Sequence, residues 1–195
     1  MSLPAAGPPG DRGATYRLLG RLALAEIDAN LARALRGLPI FGPVLEAMGD
    51  EAALAALRAD YTRVFLLNVH PYESVYRDPS GLLNSPLSGV VLQRYQGHGF
   101  TSEWSRSVGA PDHLGLELEF AASLLDRAAA ARRIGNEPVA LALERAHAEF
   151  LGQHLACWAP IFGAVAAEVA GTPFYRCYGE AVERFVLGEL EASAT

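Results

Sequence analysis

The sequence predicts a single all-α domain of about seven helices, and three observations carry that expectation. Apolar residues recur at three- and four-residue spacing along most of the chain, the period of a helix that buries one face. Prolines stand just ahead of several such stretches, where a helix tolerates them because its first N–H groups have no helical partner to lose. No run of alternating β-branched residues is long enough for a strand; Val90-Val91 is too short and lies in a stretch opened by Ser85-Pro86.

Met1 to Gly13, rich in proline and glycine, reads as a flexible leader, and residues 14–195 as one helical domain. Leu24, Ile27, Leu31 and Leu35 share one helical face, which predicts a long first helix from about Ala14 to Arg36, stopped by Gly37 and Pro39. Asp50 reads as the cap of the next helix, whose inward face carries Leu54, Leu57, Tyr61, Val64 and Phe65. Further helix starts are expected at Ser85-Pro86, Ala110-Pro111, Glu137-Pro138, Ala159-Pro160 and Thr172-Pro173, with Ser85, Asn136 and Thr172 as caps. The last helix turns Phe174, Tyr178, Ala181 and Phe185 inward. Two irregular segments remain, about Leu66–Asn84 and Gly99–Ala110, and long loops in a compact helical domain tend to carry function.

The net charge of −6 argues against a nucleic-acid partner, since phosphate binding needs a basic face, and is compatible with a basic peptide. Every basic residue apart from histidine is arginine, so lysine-based covalent catalysis and a lysine-bearing phosphate loop are excluded. The two cysteines, Cys157 and Cys177, form no Cys-x-x-Cys motif and read as reduced core thiols. The apolar run Leu155–Ala167 is too short to span a bilayer and contains Pro160; no stable membrane insertion is expected, and the protein reads as soluble and cytoplasmic.

Pro111-Asp112-His113 and Glu117 are the sharpest chemical feature. With Pro111 as the first helical residue, Asp112 falls in the first turn, where the helix dipole favours a carboxylate. Helical phasing then places Leu114, Leu118, Ala121 and Leu125 on one apolar stripe and Leu116, Phe120 and Leu124 on a second. Glu117 projects between them with His113 on the same side, while Asp112 and Glu119 point elsewhere. The expectation is an inward His113–Glu117 pair and an outward Asp112. An acid–base site on a small molecule is one use of that pair, but Ser74 and Ser123 lie in no Gly-x-Ser-x-Gly elbow and neither cysteine has an evident base. His113 with Glu117, or His147 with His154, would supply two metal ligands without a third, and a backbone carbonyl is the expected partner of His154. Pro71-Tyr72-Glu73-Ser74-Val75-Tyr76, if extended, turns Tyr72, Ser74 and Tyr76 to one side. That suits recognition of a peptide; the tyrosines pinning the loop to the core is the alternative.

Three stretches in order resemble the TorD/DmsD/NarJ-type family of molybdoenzyme maturation chaperones. Tyr61-Thr62-Arg63-Val64-Phe65 is similar to the family's aromatic-x-x-Leu-Phe helix end, with Val64 in place of leucine. Pro71–Tyr76 resembles the Pro-Pro-x-x-Ser-Val-aromatic loop, with His70 in place of the first proline. Pro111–Phe120 resembles the third motif throughout, and His154-Leu155 with Trp158, Pro160 and Phe174-Tyr175 adds weaker support. The resemblance implies a TorD-like all-helical fold and a cytoplasmic, non-enzymatic chaperone, monomer or dimer, without a cofactor or metal of its own. It implies binding of the twin-arginine signal peptide, or of the apo catalytic subunit, of a molybdopterin oxidoreductase, assisting cofactor insertion and delaying export. The contact residues it implies are Tyr61, Phe65, Pro71, Tyr72, Ser74, Tyr76, Asp112 and His113. The peptide's arginines would then seek Asp112 and Glu73, and Glu117 would be a structural partner of His113.

Overall fold

The computed structural model describes residues 9–48, 51–83 and 85–193. The chain among them is helical, with no strand beyond an isolated bridge between Tyr72 and His113. Its α-helices are α1 (Pro9–Leu24), α2 (Ala29–Arg36), α3 (Gly42–Met48), α4 (Glu51–Tyr61), α5 (Glu73–Arg77), α6 (Pro86–Gly97), α7 (Leu114–Arg133), α8 (Glu137–Phe150), α9 (Ala156–Val169) and α10 (Pro173–Ser193). A widened π turn, Thr62–Asn68, prolongs α4, a second, Leu151–Leu155, joins α8 to α9, and a 3₁₀ turn spans Glu103–Arg106. Setting aside the short α3 and α5, and counting α8–α9 as one continuous helix, seven main helices remain among the described residues, matching the expected number but not every expected boundary.

The first expected helix is two. Asp28 accepts from Leu31 N at 2.8 Å and starts α2 afresh after a break at Ala25–Asp28. Ile27 and Leu35 are buried all the same, so the apolar spacing is real although the helix is not continuous. Of the expected leader, residues 1–8 lie outside the described ones, while α1 takes up Pro9–Gly13. Asp50 also lies outside them. Ser85, Asn136 and Thr172 each stand at the helix start expected of them. Thr172 Oγ1 accepts from Tyr175 N at 3.4 Å as an N-cap does, and the Asp60 carboxylate of α4 steadies that cap, accepting from Gly171 N, Thr172 N and Thr172 Oγ1 at 2.6–2.9 Å. Pro160 starts nothing; it sits inside α9, one turn beyond the π turn.

α7 is the centre of the domain, flanked by α1 and α8, and twelve of its twenty residues are buried. α9 packs on α10 as extensively as α1 packs on α7. At that crossing two backbones meet: a Cβ on Gly163 would lie 2.6 Å from Gly179 O, and one on Gly179 would lie 2.7 Å from Ala167 N. Only glycine allows such an approach without shifting a helix. The span Glu137–Val169, at 33 residues, is long and apolar enough to cross a membrane by length and composition. Half of its most apolar window is buried against other helices, as in the core helix of a soluble protein. Neither cysteine is the buried core thiol expected: Cys157 is exposed, Cys177 is half-buried, and both are free.

Candidate functional site

Beyond the first π turn the chain runs extended to Pro71 and pairs with the residues just before α7. Leu114 N donates to Pro71 O at 2.8 Å and Glu73 N to Asp112 O at 2.9 Å. α5 follows at once. Five residues are too few to hold a helix on their own, and Tyr72 at its N-cap offers no side-chain bond. Asp112 supplies it from 38 residues away, its Oδ2 accepting from Ser74 N at 2.8 Å. The segment is therefore not the extended strip that would line up Tyr72, Ser74 and Tyr76. Ser74 and Glu73 are fully buried, Pro71 is buried, and Tyr72, Val75 and Tyr76 reach the surface in part.

The expected outward Asp112 is corrected by the same geometry. α7 begins at Leu114, three residues after Pro111, with His113 as its N-cap; helical phasing does not reach Asp112, which is fully buried beneath α5. His113 Nδ1 accepts from Gly115 N at 3.0 Å, and its ring meets Tyr72 edge-on at 5.0 Å. His113 and Glu117 are thus both buried but do not form the expected pair. Glu117 faces α9, where its Oε2 accepts from Trp158 Nε1 at 3.1 Å. Burial, and then the neighbouring Glu73 carboxylate, hold the Glu117 carboxyl well above the usual carboxylate range, against the indole bond.

The Glu73 side chain ties α5 to the second π turn. His154 Nδ1 lies 2.9 Å from its Oε2, in place of the backbone carbonyl expected for His154, and Arg77 Nη1 donates to its Oε1. Arg77 Nη1 also donates to Gln153 O at 2.6 Å, in the π turn Leu151–Leu155, and Arg94 Nη2 donates to Gln153 Oε1 at 2.7 Å. The free turn surface there also carries Cys157, whose Sγ donates to Gly152 O. π turns bulge a helix locally and recur at functional sites. Tyr76 packs on Trp158 at 5.4 Å with the rings tilted by 34° and meets Phe162 edge-on at 6.3 Å; burial pushes its hydroxyl up to about 12.

Tyr61 and Phe65 lie below this layer and not in an open groove. Tyr61 OH donates to Ala23 O at 3.0 Å, and Phe65 stacks on Phe162 at 6.0 Å, because both belong to the inward face of α4 and its π extension. What that extension leaves outside is Leu66 and Leu67, 58% and 70% exposed. The extension packs on α9, whose Ile161 and Val165 are exposed too. A cleft of about 440 Å³ lies apart from the motifs, between the end of α6 and the 3₁₀ turn, lined by Leu92, Tyr95, Phe100, Ser102 and Arg106 among others. Among the described residues no three His, Cys, Asp or Glu side chains are placed to hold a metal ion. Sequence reasoning missed Arg77 and Gln153; the i, i+4 spacing of Glu73 and Arg77 was the signal available for the first.

The buried histidines set an acid limit. Burial pushes both His113 and His147 down to about 4; His147 Nε2 lies 3.1 Å from Tyr16 OH. An unfolded chain protonates them near pH 6.5, so the stability of their neutral forms is complete above that value. It is lost as pH falls toward 4, by up to about 3 kcal/mol for each. The melting temperature should fall across this window, and His147→Gln should flatten part of the fall; an equally steep fall in the variant would acquit His147. Glu117 works in the opposite sense, its neutral form contributing most at acid pH and less as pH rises.

A family model described as nitrate reductase delta subunit matches residues 22–164, a span that contains all three motif stretches. No curated protein matches the chain.

Proposed function

The chain belongs to the nitrate reductase delta subunit family, of the NarJ/TorD chaperone type, and from that premise we propose that it is a cytoplasmic chaperone dedicated to one molybdoenzyme. It binds the twin-arginine signal peptide or the apo catalytic subunit, keeps it from export, and releases it once the cofactor is in place. The observation that carries this reading is convergence. Motif stretches far apart in sequence, Pro71–Tyr76, Asp112–Glu117 and His154–Trp158, meet around α5, and exposed Leu66, Leu67 and Ile161 lie on the neighbouring π extension and α9. Peptide binding at such a place combines an apolar surface for the signal peptide's hydrophobic segment with carboxylates for its arginines.

The roles divide by burial. Tyr72 and Tyr76 touch the client directly. Pro71, Ser74, Asp112 and His113 shape and hold α5, Glu73 offers its carboxylate to the client's arginines, Tyr61 and Phe65 support α5 from below, and Glu117 anchors Trp158 beneath Tyr76. A catalytic reading of His113 and Glu117 gains nothing from the geometry, since each has a different partner. Calorimetric titration with a synthetic twin-arginine signal peptide tests the proposal. Wild type should bind, Tyr76→Ala should weaken binding about tenfold or more, and Asp112→Ala should weaken it by releasing α5. Full affinity in both variants would move the site elsewhere, and no binding by wild type would remove the signal peptide as client.

A further inference from the structure

Gln153 is an exposed residue that accepts from two arginines at once. Arg77 comes from α5, 76 residues away, and reaches its backbone oxygen; Arg94 comes from α6, 59 residues away, and reaches its side-chain oxygen. Beneath the first lies the Glu73 carboxylate, fully buried and fixed by His154. The two acceptors that hold Arg77 are therefore rigid, the Glu73 carboxylate by burial and the Gln153 carbonyl by the helix, while Gln153 Oε1, which holds Arg94, is carried on an exposed side chain, as are the donors. The Arg77 side chain is 31% exposed, so it can leave by rotating into water while Glu73 stays locked on His154.

We propose that Glu73 and Gln153 form a two-seat guanidinium site at the π turn, which the chain's own Arg77 and Arg94 occupy until an arginine-bearing peptide displaces them. This rests on the reading of the chain as a signal-peptide chaperone and adds how the peptide is selected. A guanidinium carries donors enough for a carboxylate and a carbonyl together and gives up water more readily than an ammonium, so arginine is favoured over lysine. Exchange of one guanidinium for another conserves charge and leaves no acceptor bare at the end. Because the resident arginines are tethered, they compete at a high local concentration. A lone arginine from solvent loses that competition. A peptide with adjacent arginines wins only if its apolar segment also binds beside them, with Leu66, Leu67 and Ile161 the exposed surface on offer. The self-contact thus lowers affinity and sharpens selectivity, because the competent state is only part of the population.

Titration of wild type, Arg77→Gln, Arg94→Gln and the double variant with a twin-arginine peptide and its twin-lysine counterpart tests this. Each single variant should bind the twin-arginine peptide about fivefold more tightly than wild type, the double variant more tightly still, and the twin-lysine peptide should bind weakly throughout. Unchanged or weaker affinity in the variants, with wild type binding normally, overturns the two-seat site and leaves the chaperone reading standing. No binding by any of the four proteins overturns both. Arginine side-chain NMR of the wild-type protein provides the same decision without substitution. At saturating peptide the Arg77 and Arg94 Nη–Hη signals should move toward those of free arginine, and signals that stay in place overturn the site.

Discussion

Trp158→Ala should cost about 3–5 kcal/mol of stability, the range for removing a large buried aromatic ring. Trp158 is fully buried, lies under Tyr76, and contacts Phe162 at 6.0 Å, so its loss removes the floor on which α5 rests. It also strips Glu117 of its indole donor, and a buried polar group without a partner costs about 1–3 kcal/mol by itself. Trp158→Phe separates the two effects: ring volume largely remains while the N–H goes, and the loss should be near that lower range. Urea unfolding of both variants measures this. A loss below about 1 kcal/mol for Trp158→Ala would show that the α5–α9 contact contributes little to the fold. By the same geometry Glu117→Ala orphans the Trp158 indole, and not the His113 ring that the sequence pairs with it.

Gly179→Ala should destabilise by about 3 kcal/mol, the upper end of overpacking effects. The added methyl would meet backbone of α9 on two sides, Gly163 O and Ala167 N, and backbone cannot rotate out of the way as a side chain can. Gly188→Ala, nine residues further along α10, is the matched control. Nothing lies within 4 Å of its Cβ position, so the better helix propensity of alanine should raise stability by about 0.5–1 kcal/mol. Thermal melts of the two variants should therefore move in opposite directions. A melting temperature in Gly179→Ala equal to that of wild type would mean that α9 and α10 slide apart freely.

Local signals in the sequence were read correctly where one residue decides locally. Ser85-Pro86, Asn136 with Pro138, and Thr172-Pro173 start helices because caps and N-terminal prolines act within one turn. The errors arise where a distant residue outbids the local signal. Ala110-Pro111 carries the same proline signal, yet pairing with Pro71–Glu73 keeps Asp112 in a turn outside the helix and passes the cap to His113. The Asp28 cap was legible, but an apolar stripe running through it from Leu24 to Leu35 masked the break. Membership of the site was largely legible, since Tyr72–Tyr76, Asp112, His113 and Glu117 do gather around α5. Their roles were not, because Asp112 with Ser74, Glu73 with His154 and Glu117 with Trp158 span 38, 81 and 41 residues. No periodicity within one helix encodes such pairs. The two π turns were invisible as well, since nothing in local composition distinguishes a widened turn from an ordinary one.

The cap that Asp112 lends to α5, and the acceptors that follow it at Gln153 and His154, set a timetable for the newborn protein. Synthesis proceeds at about 5–20 residues per second. Gln153 therefore leaves the ribosome roughly 4–15 seconds after Arg77, from which it is separated by 76 residues. Until Asp112 follows, α5 lacks its cap, and throughout the interval Glu73 lacks His154 and Arg77 lacks the Gln153 carbonyl. If α5 holds the client as proposed, the chain cannot engage it while its own translation is incomplete, and its readiness is governed by the last third of its message and not by the segment Pro71–Tyr76 alone.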